Sequence, residues 1–488
     1  MPLERLQANF ANQGLKMLRG VGVLWLGQIV TKGVGLAAFA YLARKLGTEE
    51  YGAVEYAMGL ATFAALAIDG GLGSVGVRRL AQGERSPEKL AAVLPAAQFC
   101  IAAIVAPGMV LFAWLFANDA RAVTLVAFVS ISTLLLPLKQ DWLFQALGKV
   151  GHIVVGQTLR GVAFAAGVML AVSGSADLDL VGVMELASVA AAALYLIAIQ
   201  RRSIAPIRMD FAWRDMLDLG REGAAVGAAA VVWALIQYAP LMMIAKMAGM
   251  ADTAYFGAAH RLGVSLVTFS WIYHFNFYPA IAQRMIGDPE SMAELTRASF
   301  RAAAWGGIGL ALTLTLAAEP LLALLFGENL RPAAPAFGVL VWTFPITLLS
   351  GHARWLLVAA RRAQDMLVAQ LAGCVTAVVA CALLIGSFGT VGAAAAMVLA
   401  CLTIWAAAQA LVTIRVRAAP FAACVLPTAL AIGILASAKW LVLDPWIASV
   451  SGLAAYFALA PLLDRALVRD IICVIKAKSL VVPDPGLV

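Results

Sequence analysis

Apolar runs long enough to cross a bilayer recur along this chain from residue 20 to residue 464. A spanning helix needs roughly 20 apolar residues. A soluble domain cannot hide such runs one after another over its whole length. Of 488 residues, 63% are hydrophobic and only 13% are charged, and the mean hydropathy is +0.90. Soluble domains carry about 25% charged residues. The surplus apolar surface must therefore face lipid. In lipid the backbone has no water to bond, so its polar groups must be satisfied within each segment, which selects helices.

The predicted fold is all-α, a polytopic transmembrane protein of about 14 helices with no soluble domain. The predicted spans are 20–43, 51–73, 92–116, 121–139, 152–173, 180–199, 222–245, 253–281, 301–325, 333–358, 366–386, 391–413, 419–441 and 446–464. Pro279 and the run before it mark a possible kink or split in the eighth. Residues before the first run are polar and basic, and that run is long enough to span, so a retained helix is expected rather than a cleaved leader.

The cations set an orientation. One alternating set of connections holds most of the 35 Lys and Arg, among them Arg78, Arg79, Arg85 and Lys89, then Lys139 and Lys149, then Arg201 and Arg202. The opposite set holds only Arg44, Lys45, Arg121, Lys246, Arg331 and Lys439. The positive-inside rule then puts both termini in the cytoplasm, which requires an even number of spans. The net charge of +8 is spread over short loops, so a nucleic-acid partner is not expected. Arg78, Arg79, Arg85 and Lys89 would attract anionic lipid headgroups, or simply orient the chain.

The six cysteines form no CxxC or Cys/His cluster, and packing roles are expected for them. No phosphate-binding Gly-Lys-Ser/Thr loop, metal-ligand cluster or Ser/His/Asp order appears. A transporter without cofactors is expected, not an enzyme.

An internal repeat divides the chain. Leu42-Ala-Arg-Lys-Leu-Gly-Thr-Glu-Glu-Tyr-Gly follows the first span, and Ile244-Ala-Lys-Met-Ala-Gly-Met-Ala-Asp-Thr-Ala-Tyr-Phe-Gly follows the seventh. Six spans separate the copies, so the repeat is parallel. The expected organisation is an N-terminal six-helix half at 1–205, a second at 206–413, and a final pair with a cytoplasmic tail at 414–488. Two such halves predict a cavity open alternately to each side.

Several segments resemble the polysaccharide-export flippases of the MOP superfamily, the Wzx-type flippases of lipid-linked oligosaccharides. They are Arg44-Lys45-Leu46-Gly47-Thr48-Glu49-Glu50-Tyr51-Gly52, Asp69-Gly70-Gly71-Leu72-Gly73, Asp141-Trp142-Leu143-Phe144-Gln145-Ala146-Leu147-Gly148-Lys149, Leu324-Leu325-Phe326-Gly327-Glu328-Asn329 and Phe388-Gly389-Thr390-Val391-Gly392-Ala393-Ala394. They run in the family's order from about residue 15 to 412. Ala146 stands where that family usually has Gly.

The resemblance implies transfer of an undecaprenyl-diphosphate-linked glycan from the cytoplasmic to the periplasmic leaflet of the bacterial inner membrane. It also implies membrane lipids, a polysaccharide polymerase and other assembly proteins as partners. The alternatives are a multidrug cation antiporter of the same superfamily and a lipid II flippase. A drug-cation cavity should be lined by carboxylates, whereas this chain has an intramembrane excess of bases. A glycan polymerase or glycosyltransferase would need a large polar outer loop, and the outer loops here are short.

Charges inside spans are costly, about 2.5–3.5 kcal/mol at a helix centre. Lys32, Arg160, Arg261 and Arg354 are the cations so placed. In the functional reading they receive the diphosphate, which Arg suits through its planar fork. Arg44 and Lys45 would meet substrate on the periplasmic side. In the structural reading the cations pair with Glu55, Asp69 or Glu185, snorkel to the interface, or, for the loop pair, are merely solvated. Glu55 and Asp69 share a face of span two about 21 Å apart. With Glu185 and His260 they either bind a coupling cation or proton, or balance charge and pack. His260 and His274 repeat the same 14-residue spacing in span eight.

Overall fold

The computed structural model describes residues 31–83, 86–204, 208–287, 289–415, 423–441 and 443–470. Among the described residues there are helices and no strands. They are α1 (31–45), α2 (Thr48–Asp69), α3 (Leu72–Ala81), α4 (Pro87–Phe116), α5 (Ala120–Thr133), α6 (Asp141–Ala146), α7 (Val150–Ala171), α8 (Leu178–Ser203) and α9 (Trp213–Met247). They continue as α10 (Met250–Gly287), α11 (Pro289–Leu316), α12 (Ala318–Phe326), α13 (Ala334–Leu340), α14 (Thr343–Ala359), α15 (Ala363–Arg415), α16 (Val425–Trp440) and α17 (Pro445–Leu463). Large apolar side chains on their outer faces point away from any protein neighbour: Leu170 is 89% exposed and Trp440 82%. That is the surface of a body solvated by lipid, and the chain is a multi-pass membrane protein.

Among the described residues nine helices are long and apolar enough to cross a membrane, or ten if α11 and α12 form one bent span. Several features separate this from the fourteen segments expected. The first expected span, 20–43, lies partly outside the described residues. α10 runs through Pro279 as one helix of 38 residues, but it is not among the helices apolar enough to count as a span, so the expected span 253–281 is not among those counted. The stretch 363–414 reads as one span, but Gly389 inside it has φ 52 and ψ −129 and breaks the helix. The expected spans 366–386 and 391–413 flank that break. α16 is 16 residues long, shorter than a full crossing. α11 and α12 meet at a 70° bend. The proline at 320 explains it: Pro320 has no N–H, and its ring would strike the Leu316 carbonyl, so α11 stops there.

Helix starts follow local chemistry. Ser86 caps α4, its Oγ accepting from Lys89 N–H at 3.4 Å, with Pro87 in the first turn. Asp444 caps α17, accepting from the N–H groups of Trp446 (2.9 Å) and Ile447 (3.2 Å). The α2–α3 junction is made by two left-handed glycines, Gly70 at φ 51 and Gly71 at φ 77.

Two compact units emerge from the contacts: Met1–Tyr238 with Gly249–Thr253, and Ala239–Ala248 with Ala254–Val488. α9 therefore contributes to both, and it contains Pro240. In the first unit, α2, α4, α5 and α8 pack together, and α7 lies along α8. The N-terminal half of α9 meets the α2–α3 junction at backbone distance. A Cβ on Gly227 would collide with the Gly70 backbone, and one on Gly223 would lie 3.1 Å from the Gly70 oxygen. In the second unit, Phe300, Trp305, Ile308 and Leu312 of α11 form a core with Phe344 and Leu348 of α14, Ala431 of α16 and Tyr456 of α17. Arg301 clamps the tail end of α17 to α11 through Asp464 (3.3 Å) and Asp470 (2.7 Å), and Trp305 Nε1–H donates to Asp464 at 3.1 Å.

The glycine contact can be tested against an internal control. Gly227→Ala forces overpacking and should destabilise the protein by about 1–3 kcal/mol. Gly108→Ala meets nothing within 4 Å and should leave stability unchanged or slightly raised. Unfolding midpoints of the two variants in detergent check this, and equal midpoints would remove the backbone contact from the account.

Candidate functional site

Four cations were singled out inside the spans, two in each unit. Lys32 is half-buried on α1. Its neighbour Thr31 shares a 3.3 Å hydroxyl–hydroxyl bond with Thr158 of α7. A Cβ on Gly161 would touch Thr31 at 3.7 Å. Small residues thus let α1 and α7 cross closely. Arg160 stands on α7 at that crossing, between Thr158 and Gly161.

Arg160 is ion-paired with Glu185 of α8 through Nη2 and Oε1. The pair is asymmetric: the Glu185 side chain is 5% exposed and the Arg160 side chain 42%. Glu185 also lies 3.4 Å from the Ser188 hydroxyl, which donates more closely, at 2.8 Å, to the Glu185 carbonyl. The carboxylate is a buried anchor, while half of the guanidinium remains open. This is one of the pairings foreseen as the structural alternative for both residues.

The other carboxylates of this unit also have local partners. Glu55 is buried and accepts from the Tyr51 hydroxyl at 2.6 Å. Asp69 Oδ1 accepts from the Gly73 N–H and from Gln98 Nε2, each at 3.2 Å. The Asp-Gly-Gly-Leu-Gly motif therefore builds a junction: two left-handed glycines turn the chain, and the aspartate caps α3. Glu55 and Asp69 sit near opposite ends of α2 with separate partners.

Arg44 and Lys45 are exposed at the end of α1. The Lys45 ammonium lies 5.9 Å from the Tyr41 ring centre. Around them the first-loop motif is held by the Gly47 N–H on Ser175 Oγ (3.0 Å) and by Arg121, which pairs with Glu50 and reaches Glu49 at 3.4 Å.

In the second unit, Arg261 is half-buried on α10 beside buried His260, whose ring stacks on Phe256 at 5.6 Å. Arg354 of α14 donates from Nη2 to the Thr347 carbonyl at 3.2 Å. It bonds back along its own helix, which a solvated or snorkelling arginine would have no need to do.

One buried polar cluster escaped sequence reasoning. His274 meets His352 of α14 edge-on, ring centres 4.9 Å apart, rather than acting with His260. His352 is fully buried. Tyr273 O–H donates to Ser299 Oγ at 2.5 Å, and the Ser299 hydroxyl donates to His352 Nε2 at 2.9 Å. Nδ1–H of His352 donates to the Leu349 carbonyl (3.3 Å), and that of His274 to the Ser270 carbonyl (2.9 Å). Gly351 makes the space, since a Cβ there would enter the His274 ring. The 14-residue spacing on α10 carried no information about a partner on α14. The adjacency of Gly351 and His352 was the available signal.

Among the described residues no group of three or more His, Cys, Asp or Glu could hold a metal ion. Arg160 and Arg354 stand on helices long and apolar enough to cross a membrane, whereas α1 and α10, which carry Lys32 and Arg261, are not among those counted. Arg160 is buttressed by Glu185 and Arg354 by a backbone carbonyl.

Residues 17–285 match the model of a family described as polysaccharide biosynthesis protein. No curated protein sequence matches the chain. Among solved structures, the lipid II flippase MurJ in an inward closed conformation has a TM-score of 0.71 at 11% identity, covering 91% of this chain and 99% of its own. An inward-facing multidrug resistance MATE family transporter of the MOP superfamily has a TM-score of 0.57 at 12% identity, covering 81% of this chain and 98% of its own. At such identities the likeness is one of fold. The family match covers more than half of the chain, and the chain belongs to the polysaccharide biosynthesis protein family, with the fold of the MOP-superfamily flippases and transporters.

Proposed function

We propose that the protein is a flippase that moves an undecaprenyl-diphosphate-linked oligosaccharide from the cytoplasmic to the periplasmic leaflet by alternating access. The observation that carries this reading is the polysaccharide biosynthesis family match over residues 17–285. The fold shared with a lipid II flippase supports the same class of cargo, a lipid with a polar head. The cation-rich connections support a bacterial inner-membrane protein with both termini in the cytoplasm. A polysaccharide polymerase and other assembly proteins are its partners downstream.

Lys32, Arg160, Arg261 and Arg354 attract the diphosphate. Each guanidinium offers a fork of donors to phosphate oxygens, and a lipid-walled site weakens the competition from water. The excess of bases over unpaired acids suits an anionic cargo better than the organic cations of a multidrug transporter.

Lys32→Ala, Arg160→Ala and Arg261→Ala should each lower surface polysaccharide by about tenfold or more, the value of one charge-assisted hydrogen bond. Lipid-linked intermediate should accumulate in the cytoplasmic leaflet. Full-rate export by all three variants with normal membrane insertion would sink the reading.

The Arg160–Glu185 pair needs its own test, because Arg160 has a structural partner. Arg160→Gln strands a buried carboxylate and should cost about 2–3 kcal/mol. The double change Arg160→Gln with Glu185→Gln removes both charges and should recover most of that stability. Transport that stays low in the stable double variant assigns Arg160 to the substrate. Transport that returns with stability assigns the pair to the scaffold alone.

A further inference from the structure

The cations expected to meet lipid headgroups are tied to the inner side of α9. Arg78 and Arg79 of α3 converge on Glu222, Arg79 Nε–H donating to Oε2 at 2.8 Å, and Lys89 of α4 pairs with Asp215 at 3.2 Å. Arg85 lies outside the described residues. A second set of cations on the same side of the chain is placed differently. Arg201 and Arg202 end α8, Arg208 precedes α9, and Arg214 and Arg221 lie in its first three turns. All five are exposed, and among the described residues none of them makes an ion pair. They belong to the first unit.

Packing explains why these side chains face outward. Met209, Met216 and Leu219 join Ile204 in a core with Leu72 and Val75 of α3 and Leu90 and Leu94 of α4. The Asp210 N–H donates to the Ala92 carbonyl at 3.0 Å. Asp210 Oδ1 in turn accepts from the Ala212 N–H at 3.1 Å. The entry to α9 is therefore fixed on its inner side. Its outer side carries Phe211, 54% exposed, and Trp213, 64% exposed. Leu217, one turn on from Trp213 and on the same flank, is exposed as well. Arg214 and Arg221 are seven residues apart, which puts them on one neighbouring flank about 10 Å apart. Asp218 stands between them, exposed and without an ion pair among the described residues.

Length places this face at the bilayer surface. α9 has 35 residues, about 52 Å at 1.5 Å each, against roughly 30 Å of hydrocarbon. From Gly223 to Ala245 it carries no charged residue, so the part outside the hydrocarbon is its charged start. The spanning helix α8 ends at the same level, since Ile204 just beyond it packs in the same core. Trp is favoured at that depth, because its ring is apolar and its N–H is polar.

The pairing of exposed bases with exposed apolar rings selects the partner. Water alone solvates the guanidinium groups but gains nothing from Phe211, Trp213 and Leu217. An anionic phospholipid answers both. Its phosphate accepts from the Arg fork, and its glycerol and upper acyl region take the aromatic and leucine side chains. The five arginines outnumber the exposed carboxylates Asp210 and Asp218, so the surface complements several phosphates at once. We infer that the end of α8 and the start of α9 form a docking surface for anionic phospholipid headgroups, which hold the entry to α9 at the membrane surface. Its ligand is bilayer lipid, distinct from the cargo assigned to Lys32, Arg160, Arg261 and Arg354.

The test titrates the full-length protein in detergent with phosphatidylglycerol or phosphatidylcholine and counts retained lipids by native mass spectrometry. The wild type should retain phosphatidylglycerol in preference, and the preference should shrink as ionic strength rises. The triple variant Arg208→Gln, Arg214→Gln, Arg221→Gln should weaken phosphatidylglycerol binding by about fivefold per arginine removed. The matching triple change to Lys should keep most of it. Lys439→Gln, exposed in the last turn of α16 on the opposite set of connections, should change nothing. Should the Gln triple variant fail to fold, Arg214→Gln alone is read the same way. Equal retention of both lipids by the wild type, or an unchanged preference in the folded variant, means that the arginines face water and only orient the chain, and overturns the docking surface. A parallel titration with undecaprenyl diphosphate separates the remaining source of phosphate. If that lipid loses affinity in the variant and phosphatidylglycerol does not, the surface belongs to the cargo and the phospholipid assignment falls.

Discussion

Every helix in this protein answers one constraint: in a hydrocarbon solvent an unbonded N–H or C=O has no water to turn to. At two breaks among the described residues, other groups satisfy the backbone. At Gly70 and Gly71 the freed groups are met by the Leu66 carbonyl, at 3.1 Å from the Gly70 N–H, and by the Asp69 carboxylate on Gly73. At Ala317 the 70° bend is bridged by the Ala317 N–H on the Thr313 carbonyl at 3.0 Å. The breaks at Gly70–Gly71 and Ala317 are thus built joints between helices.

The same solvent makes polar side chains conspicuous and forces them to choose partners. Arg160 and Glu185 meet between α7 and α8. Tyr51 and Glu55 meet along α2, and Tyr273, Ser299 and His352 form a directed chain of donors among α10, α11 and α14. The pairs between helices specify which faces pack together, a task that apolar surfaces cannot perform when lipid is as apolar as they are.

The helices were legible in the sequence because lipid converts their environment directly into composition. The Asp69–Gly73 and Gly389 motifs marked real breaks for the same reason: glycine at a left-handed position is a local necessity. What stayed hidden was set by tertiary contact. Nothing near His274 announces His352, 78 positions along, and nothing near Gly227 announces the backbone of Gly70. The bend at Ala317 was readable from Pro320, but it was overridden by the continuous apolar run 301–325. Residues 140–142 lie in a family-like segment, and the burial of their polar side-chain atoms without partners is set by tertiary packing, not by that segment.

α9 holds a further consequence. One continuous helix contributes residues to both compact units, and the boundary between them, after Tyr238, falls two residues before Pro240. A proline inside a helix deletes one hydrogen bond and crowds the carbonyl four residues back, here that of Ile236. The rod is therefore most compliant at the point where its allegiance changes. Its N-terminal part is locked to the α2–α3 joint through glycines, while only residues 239–247 belong to the other unit. The helix therefore has a pivot at Pro240, beyond the segment that Gly223 and Gly227 fix to the α2–α3 joint.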